Sequence, residues 1–90
     1  ARLIHIEAEQ RIRDIHARLE TAAHVVQTYA SSLLPAADLV LASIEDRYAE
    51  GDVDLIDVLQ VRTTWIERQL NDLDARLELD LIRAELAAQL

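Results

Sequence analysis

Six carboxylates crowd the middle of this 90-residue chain: Glu45, Asp46, Glu50, Asp52, Asp54 and Asp57. Arg47 is the one base among them, so the segment holds a charge of −5 out of −8 overall. Clustered acids attract cations, ligate hard metals or repel phosphates. The same stretch contains the only glycine, Gly51. The three histidines are the other residues with possible chemistry. His5, His16 and His24 stand eleven and eight residues apart, whereas two ligands on one helix prefer spacings of three or four. No metal site is expected from them. No Ser-His-Asp set or glycine-rich phosphate loop occurs, and the carboxylates fall on helix surfaces or a turn, not in a pocket. The expectation is therefore no enzyme, no cofactor and no metal.

Composition narrows the partners. There is no cysteine, which removes disulfide, thiolate and Cys-zinc chemistry. All nine basic residues are arginine, and none of their positions builds the basic face that nucleic acid requires. The acidic balance also disfavours anionic lipid. No run of 18 apolar residues is found, so no bilayer-spanning helix is expected. No signal peptide is visible. The chain opens at Ala1 in the middle of a helical pattern, which suggests a piece of a longer protein.

The elements that must position the acids read as an all-α, long antiparallel two-helix hairpin, coiled-coil-like: helix from about 2 to 50, turn from about 51 to 54, helix from about 55 to 89. In the first arm Ile12, Ile15, Leu19, Ala22, Val26, Tyr29 and Leu33 recur at steps of three and four. The stripe then shifts to Ala37, Leu41, Ile44 and Tyr48. Pro35 coincides with the shift and predicts a kink. Ser31 and Ser32 offer caps for a fresh start, with Asp38 in its first turn, but no polar loop separates the halves, so one kinked helix of roughly 70 Å is favoured. Tyr48 is expected to pack in the core with its hydroxyl near the turn.

The second arm carries two stripes. The main one is Leu55, Leu59, Ile66, Leu70, Leu73, Leu77, Leu81, Ala84 and Ala88. The other is Val58, Val61, Trp65, Leu79, Ile82, Leu86 and Leu90, on which Trp65 reads as an inter-helix contact. A lone hairpin buries one stripe per helix, so the surplus predicts further helical neighbours. Glu7/Arg11, Glu9/Arg13, Asp14/Arg18 and Asp72/Arg76 have the spacing of ion pairs along a solvated helix.

The reversal has its own logic. Gly51 suits the positive φ of a helix C-terminus. Asp54 suits an N-cap, Asp57 the third helical position, and Val53 with Val58 a hydrophobic staple. Asp52, Asp54 and Asp57 favour the positive end of the second helix dipole, but Glu45, Asp46 and Glu50 lie where negative charge is mildly unfavourable.

Tyr48-x-x-Gly51, Asp54-Leu55-Ile56-Asp57-Val58-Leu59, Thr64 and Glu67-x-x-Leu70 together resemble the second periplasmic hairpin of TolC-family outer-membrane efflux factors. Leu33-Leu34-Pro35-Ala36-Ala37 is similar to a Leu-Leu-Pro-x-Ala run of the same family, especially its heavy-metal, CzcC-like branch. The likeness spans about Leu19 to Ala88. It implies a homotrimeric channel in the Gram-negative cell envelope, with this chain as the periplasmic portion. The hairpin tip would form the tunnel aperture and dock with the hairpins of a periplasmic adaptor protein, while neighbouring helices of the same channel cover the rod. By the same likeness Tyr48, Gly51, Asp52, Asp54, Asp57 and Gln60 fall at the aperture and docking tip. There are departures. Gln60 stands where the family often has an acid, Val61-Arg62-Thr63 where Ala-Gln-Arg often follows, and Val53 where TolC itself has a gate arginine. The strands of a barrel are absent. A second expectation needs no family: a self-associating helical hairpin that forms a four-helix bundle and has no transport role. Either permits dimers of the isolated hairpin.

Overall fold

The computed structural model describes residues 2–89, with side chains from His5 to Gln89. Helix α1 spans Arg2–Thr28, a π-helical turn follows at Tyr29–Leu33, α2 spans Leu34–Ala49 and α3 spans Leu55–Gln89. The first three run as one helical arm, and α3 returns antiparallel along all of it. The molecule is a rod of 73 × 17 × 16 Å with no strand among the described residues. Strong helix formers fill both arms, and α3 has neither glycine nor proline to interrupt it.

The π turn explains the shifted stripe of the first arm. From Ile12 to Leu33 the apolar residues keep a heptad rhythm, and from Ala37 to Tyr48 they keep it again, one residue out of phase. A π turn holds one residue more than an α turn. The Leu34 N–H donates to the Tyr29 carbonyl, five residues back, so the extra residue is accommodated just before Pro35, whose missing N–H cannot bond in either pattern. The helix therefore neither stops nor restarts. Thr28, Leu33 and Leu34 keep right-handed helical geometry, and the Ser31 hydroxyl turns back to the Gln27 carbonyl (2.7 Å) instead of capping.

The first-arm stripe is buried or half-buried from Ile12 to Ile44. Tyr48 departs from expectation: it is 44% exposed, beside the turn. On α3 the facing residues are Val58, Val61, Trp65, Asp72, Ala75, Leu79, Ile82 and Leu86, all buried or half-buried at heptad spacing. Leu90 lies outside the described residues. The longer stripe from Leu55 to Leu81, with Ala84 and Ala88, is exposed throughout. The stripe with more leucines is thus the uncovered one.

The core sits in the half of the rod away from the turn, where Ile15, Ala22, Leu79 and Ile82 cluster with Leu19, Val26 and Leu86 against them. Toward the turn only Val58 is fully buried, and α2 buries nothing completely. There the arms are tied by polar contacts: Trp65 Nε1 donates to Asp38 Oδ1 (2.7 Å) and Arg62 Nη2 meets Glu45 Oε1 (3.3 Å). At the other end Arg18 Nη1 reaches Glu85 across the arms at 3.1 Å. Of the four expected ion pairs along one helix, only Asp72–Arg76 (3.1 Å) forms among the described residues; Arg18 finds Glu85 of the opposite arm in place of Asp14, and Asp80–Arg83 (3.6 Å) is an addition.

One feature of the first arm runs against the sequence reading. The unbroken helix His5–Ala49 holds an 18-residue window of mean hydropathy 1.3, long and apolar enough by length and composition to cross a bilayer, with none of it buried. A high average hydropathy tolerates single polar or helix-bending residues such as Pro35 and Asp38, whereas an unbroken apolar run contains none.

Candidate tip interface

Gly51 at φ +80° ends the first arm in a full Schellman arrangement. Its N–H donates to the Tyr48 carbonyl (3.0 Å), and the Asp52 N–H donates to the Arg47 carbonyl (2.9 Å). A Cβ on Gly51 would meet nothing within 4 Å, so glycine is required by backbone conformation and not by space. The chain then enters α3 through half of a capping box. The Asp54 N–H donates to Asp57 Oδ2 (3.2 Å), while the Asp57 N–H donates to the Asp54 carbonyl (3.1 Å). Val53 is half-buried and Val58 is buried at 2% exposure, the positions of the expected staple.

This geometry divides the acids into two groups. Asp57 is half-buried and its carboxylate serves the start of α3. Glu45 is half-buried and pairs with Arg62. Asp46, Glu50, Asp52 and Asp54 are exposed, and none of them forms an ion pair among the described residues. The tip therefore presents four solvated carboxylates at the end of the rod. Close below them Tyr48, Leu55, Ile56 and Leu59 are exposed too, so the end of the hairpin offers an apolar collar under an acidic cap. Gln60 is exposed on α3 one turn further along; its carbonyl accepts the Thr64 hydroxyl (3.2 Å).

The six expected tip residues thus share one end of the rod, but not one role. Tyr48, Asp52, Asp54 and Gln60 face solvent, whereas Gly51 and Asp57 make the turn. Among the described residues no group of three or more His, Cys, Asp or Glu side chains is placed to hold a metal ion. His16 and His24 lie roughly 12 Å apart along α1, too far to share one. The grooves between the arms are open and lined largely by aliphatic side chains, as where Leu33, Ala37 and Val61 meet Trp65.

Two features had no counterpart in the sequence reading. Asp38 lies within the unbroken first arm, where it accepts the Trp65 indole proton and helps hold the tip half together. Asp72 was read as a surface partner of Arg76; it is only 7% exposed, and its Oδ1 has no hydrogen-bond partner. Its signal is spacing: continuing Val58, Val61 and Trp65 at heptad steps lands on residue 72 before Leu79. Compared with known proteins, the chain matches no family model, no curated protein and no solved structure.

Proposed function

We propose that this chain is an interaction and conduit element, the periplasmic tip hairpin of a TolC-like outer-membrane efflux factor, with an acidic aperture that favours cations. The observation that carries the reading is the tip itself: four exposed, unpaired carboxylates above an apolar collar, on a rod whose outer face is left uncovered. The acids would raise the local cation concentration at an aperture, and the collar would pack against adaptor hairpins. Neighbouring helices of a homotrimer would cover the rod, and the protein would stand in the Gram-negative envelope. Heavy-metal export enters through the resemblance of the Leu33-Leu34-Pro35 segment to the CzcC-like branch. No catalytic step and no cofactor belong to this reading.

Conductance of the full-length channel tests the aperture. Asp52→Asn with Asp54→Asn should lower cation preference, and unchanged selectivity would sink that role. Asp57→Ala is a poorer probe, because it also removes a helix-capping contact. For docking, charge reversal at Asp54 should weaken adaptor binding in a titration; an unaltered affinity counts against it.

A second reading, a structural hairpin with no transport role, is favoured by the local work of Asp57 and Glu45, which needs no aperture. The gene around the segment separates the two. Flanking amphipathic strands and a second similar hairpin belong only to the channel.

A further inference from the structure

The outer face of α3 is a second coiled-coil seam. Ile56, Leu59, Ile66, Leu70, Leu73 and Leu77 follow alternating steps of three and four, with Thr63 the polar member between Leu59 and Ile66. The six apolar residues are 49–62% exposed, although they extend over six turns of helix. Ile56, Thr63, Leu70 and Leu77 take the a positions of a heptad, and Leu59, Ile66 and Leu73 take the d positions.

The flanks of this seam differ in sign. On one side, at e, stand Gln60, Glu67 and Asp74. On the other, at g, stand Arg62, Gln69 and Arg76, with Arg83 beyond. Two copies packed antiparallel set g against g and e against e, so arginines meet arginines and carboxylates meet carboxylates. Two copies packed parallel set each g against the e that follows five residues later on the other chain. Arg62, which within one chain meets Glu45 at 3.3 Å, then also faces Glu67, and Gln69 faces Asp74, each twice by symmetry. Arg76 would meet Leu81 in this register, so the charge complementarity rests on Arg62 with Glu67. Glu67 and Asp74 form no ion pair among the described residues. Repulsion between the two acidic tips opposes the arrangement, but turns a helix diameter apart, about 10 Å, exceed the screening length of about 8 Å at physiological salt.

We propose that the outer face of α3 pairs with the same face of a second copy in parallel, bringing the two tips to the same end. The proposal does not rest on the channel reading: a twofold pair suits a bundle without transport and competes with a threefold assembly for the same face.

Sedimentation equilibrium of the 90-residue chain should give a mass above that of one 10.2 kDa chain at hundreds of micromolar; a monomer there overturns the proposal. Orientation is read from a spin label on Gln60→Cys, which is clean because the chain has no other cysteine. Parallel packing predicts label separations under about 20 Å, whereas an antiparallel pair centred near Asp72 separates the helix positions by roughly 35 Å, a result that overturns it. Leu70→Glu should weaken association at least about tenfold, a change of 1.4 kcal/mol. Should that variant lose helicity, a charge swap keeps the test open. Glu67→Arg should weaken association, and adding Arg62→Glu should restore it; failure of the restoration counts against the parallel register.

Discussion

The inner and outer faces of α3 reverse what hydrophobicity alone would assign them. The outer face presents an almost unbroken row of Leu and Ile, all exposed. The inner face carries Val58, Val61, Trp65, Ala75, Leu79, Ile82 and Leu86 and, at its centre, the carboxylate of Asp72, all buried or half-buried against the opposite arm. Shape and register account for the difference. The first arm offers Ala22, Ala37 and the wider π turn, and Arg18–Glu85 with Asp38–Trp65 set an antiparallel register that puts Asp72 level with Ser31, inside that turn. A helix of this width cannot cover two stripes at once. The stripe with the most apolar surface left to bury is therefore the one that the hairpin itself does not cover.

The most severe way to break this comparison is truncation on each face. Ile82→Ala, at a site 2% exposed, should cost about 2–4 kcal/mol in urea unfolding. Leu70→Ala, measured at concentrations where the chain is monomeric, should cost less than about 1 kcal/mol. Equal losses would mean that the outer row is already covered within one chain.

Asp72 gives the next largest effect. Its Oδ1 is orphaned and its Oδ2 is held by Arg76 (3.1 Å). Asp72→Leu should raise the melting temperature, by an amount equivalent to about 1–3 kcal/mol, because an apolar residue removes the desolvation penalty. Arg76→Ala should lower it. A destabilised Asp72→Leu would show that the inner face depends on its carboxylate, which would sharpen its contrast with the outer row.

At the junction of the two faces, Gly51→Ala should cost about 1 kcal/mol, entirely from the positive φ, and Gly51→Asn should cost less. Asp57→Ala should cost about 0.5–1 kcal/mol through the lost capping contact. Both are checked by chemical denaturation, and both should leave association through α3 intact. The smallest effects belong to the exposed cross-arm pairs. Arg18→Ala and Arg62→Ala should each change stability by less than about 0.5 kcal/mol, and that difference should vanish in high salt.

Much of the fold was legible in the sequence because a long helix repeats its instructions every turn. The spacing from Ile12 to Leu33, the phase shift before Ala37 and the Gly51–Asp54–Asp57 arrangement are local signals, and each appears in place. The tip was legible as a turn, and less so as a site. Asp57 and Glu45 have uses that depend on the Asp54 N–H and on Arg62 of the other arm, and Tyr48 is exposed although it continues the buried stripe.

What the sequence determined by itself is therefore the periodic and the local: two helical arms, one reversal, an acidic end and a surplus of apolar surface on α3. Which of α3's stripes faces inward, that the odd residue near Pro35 becomes a π turn, that Asp72 is buried and that Trp65 bonds Asp38 were decided only when the arms met. Each of these depends on lateral register between residues far apart in the chain, and helical periodicity carries no information about what stands opposite.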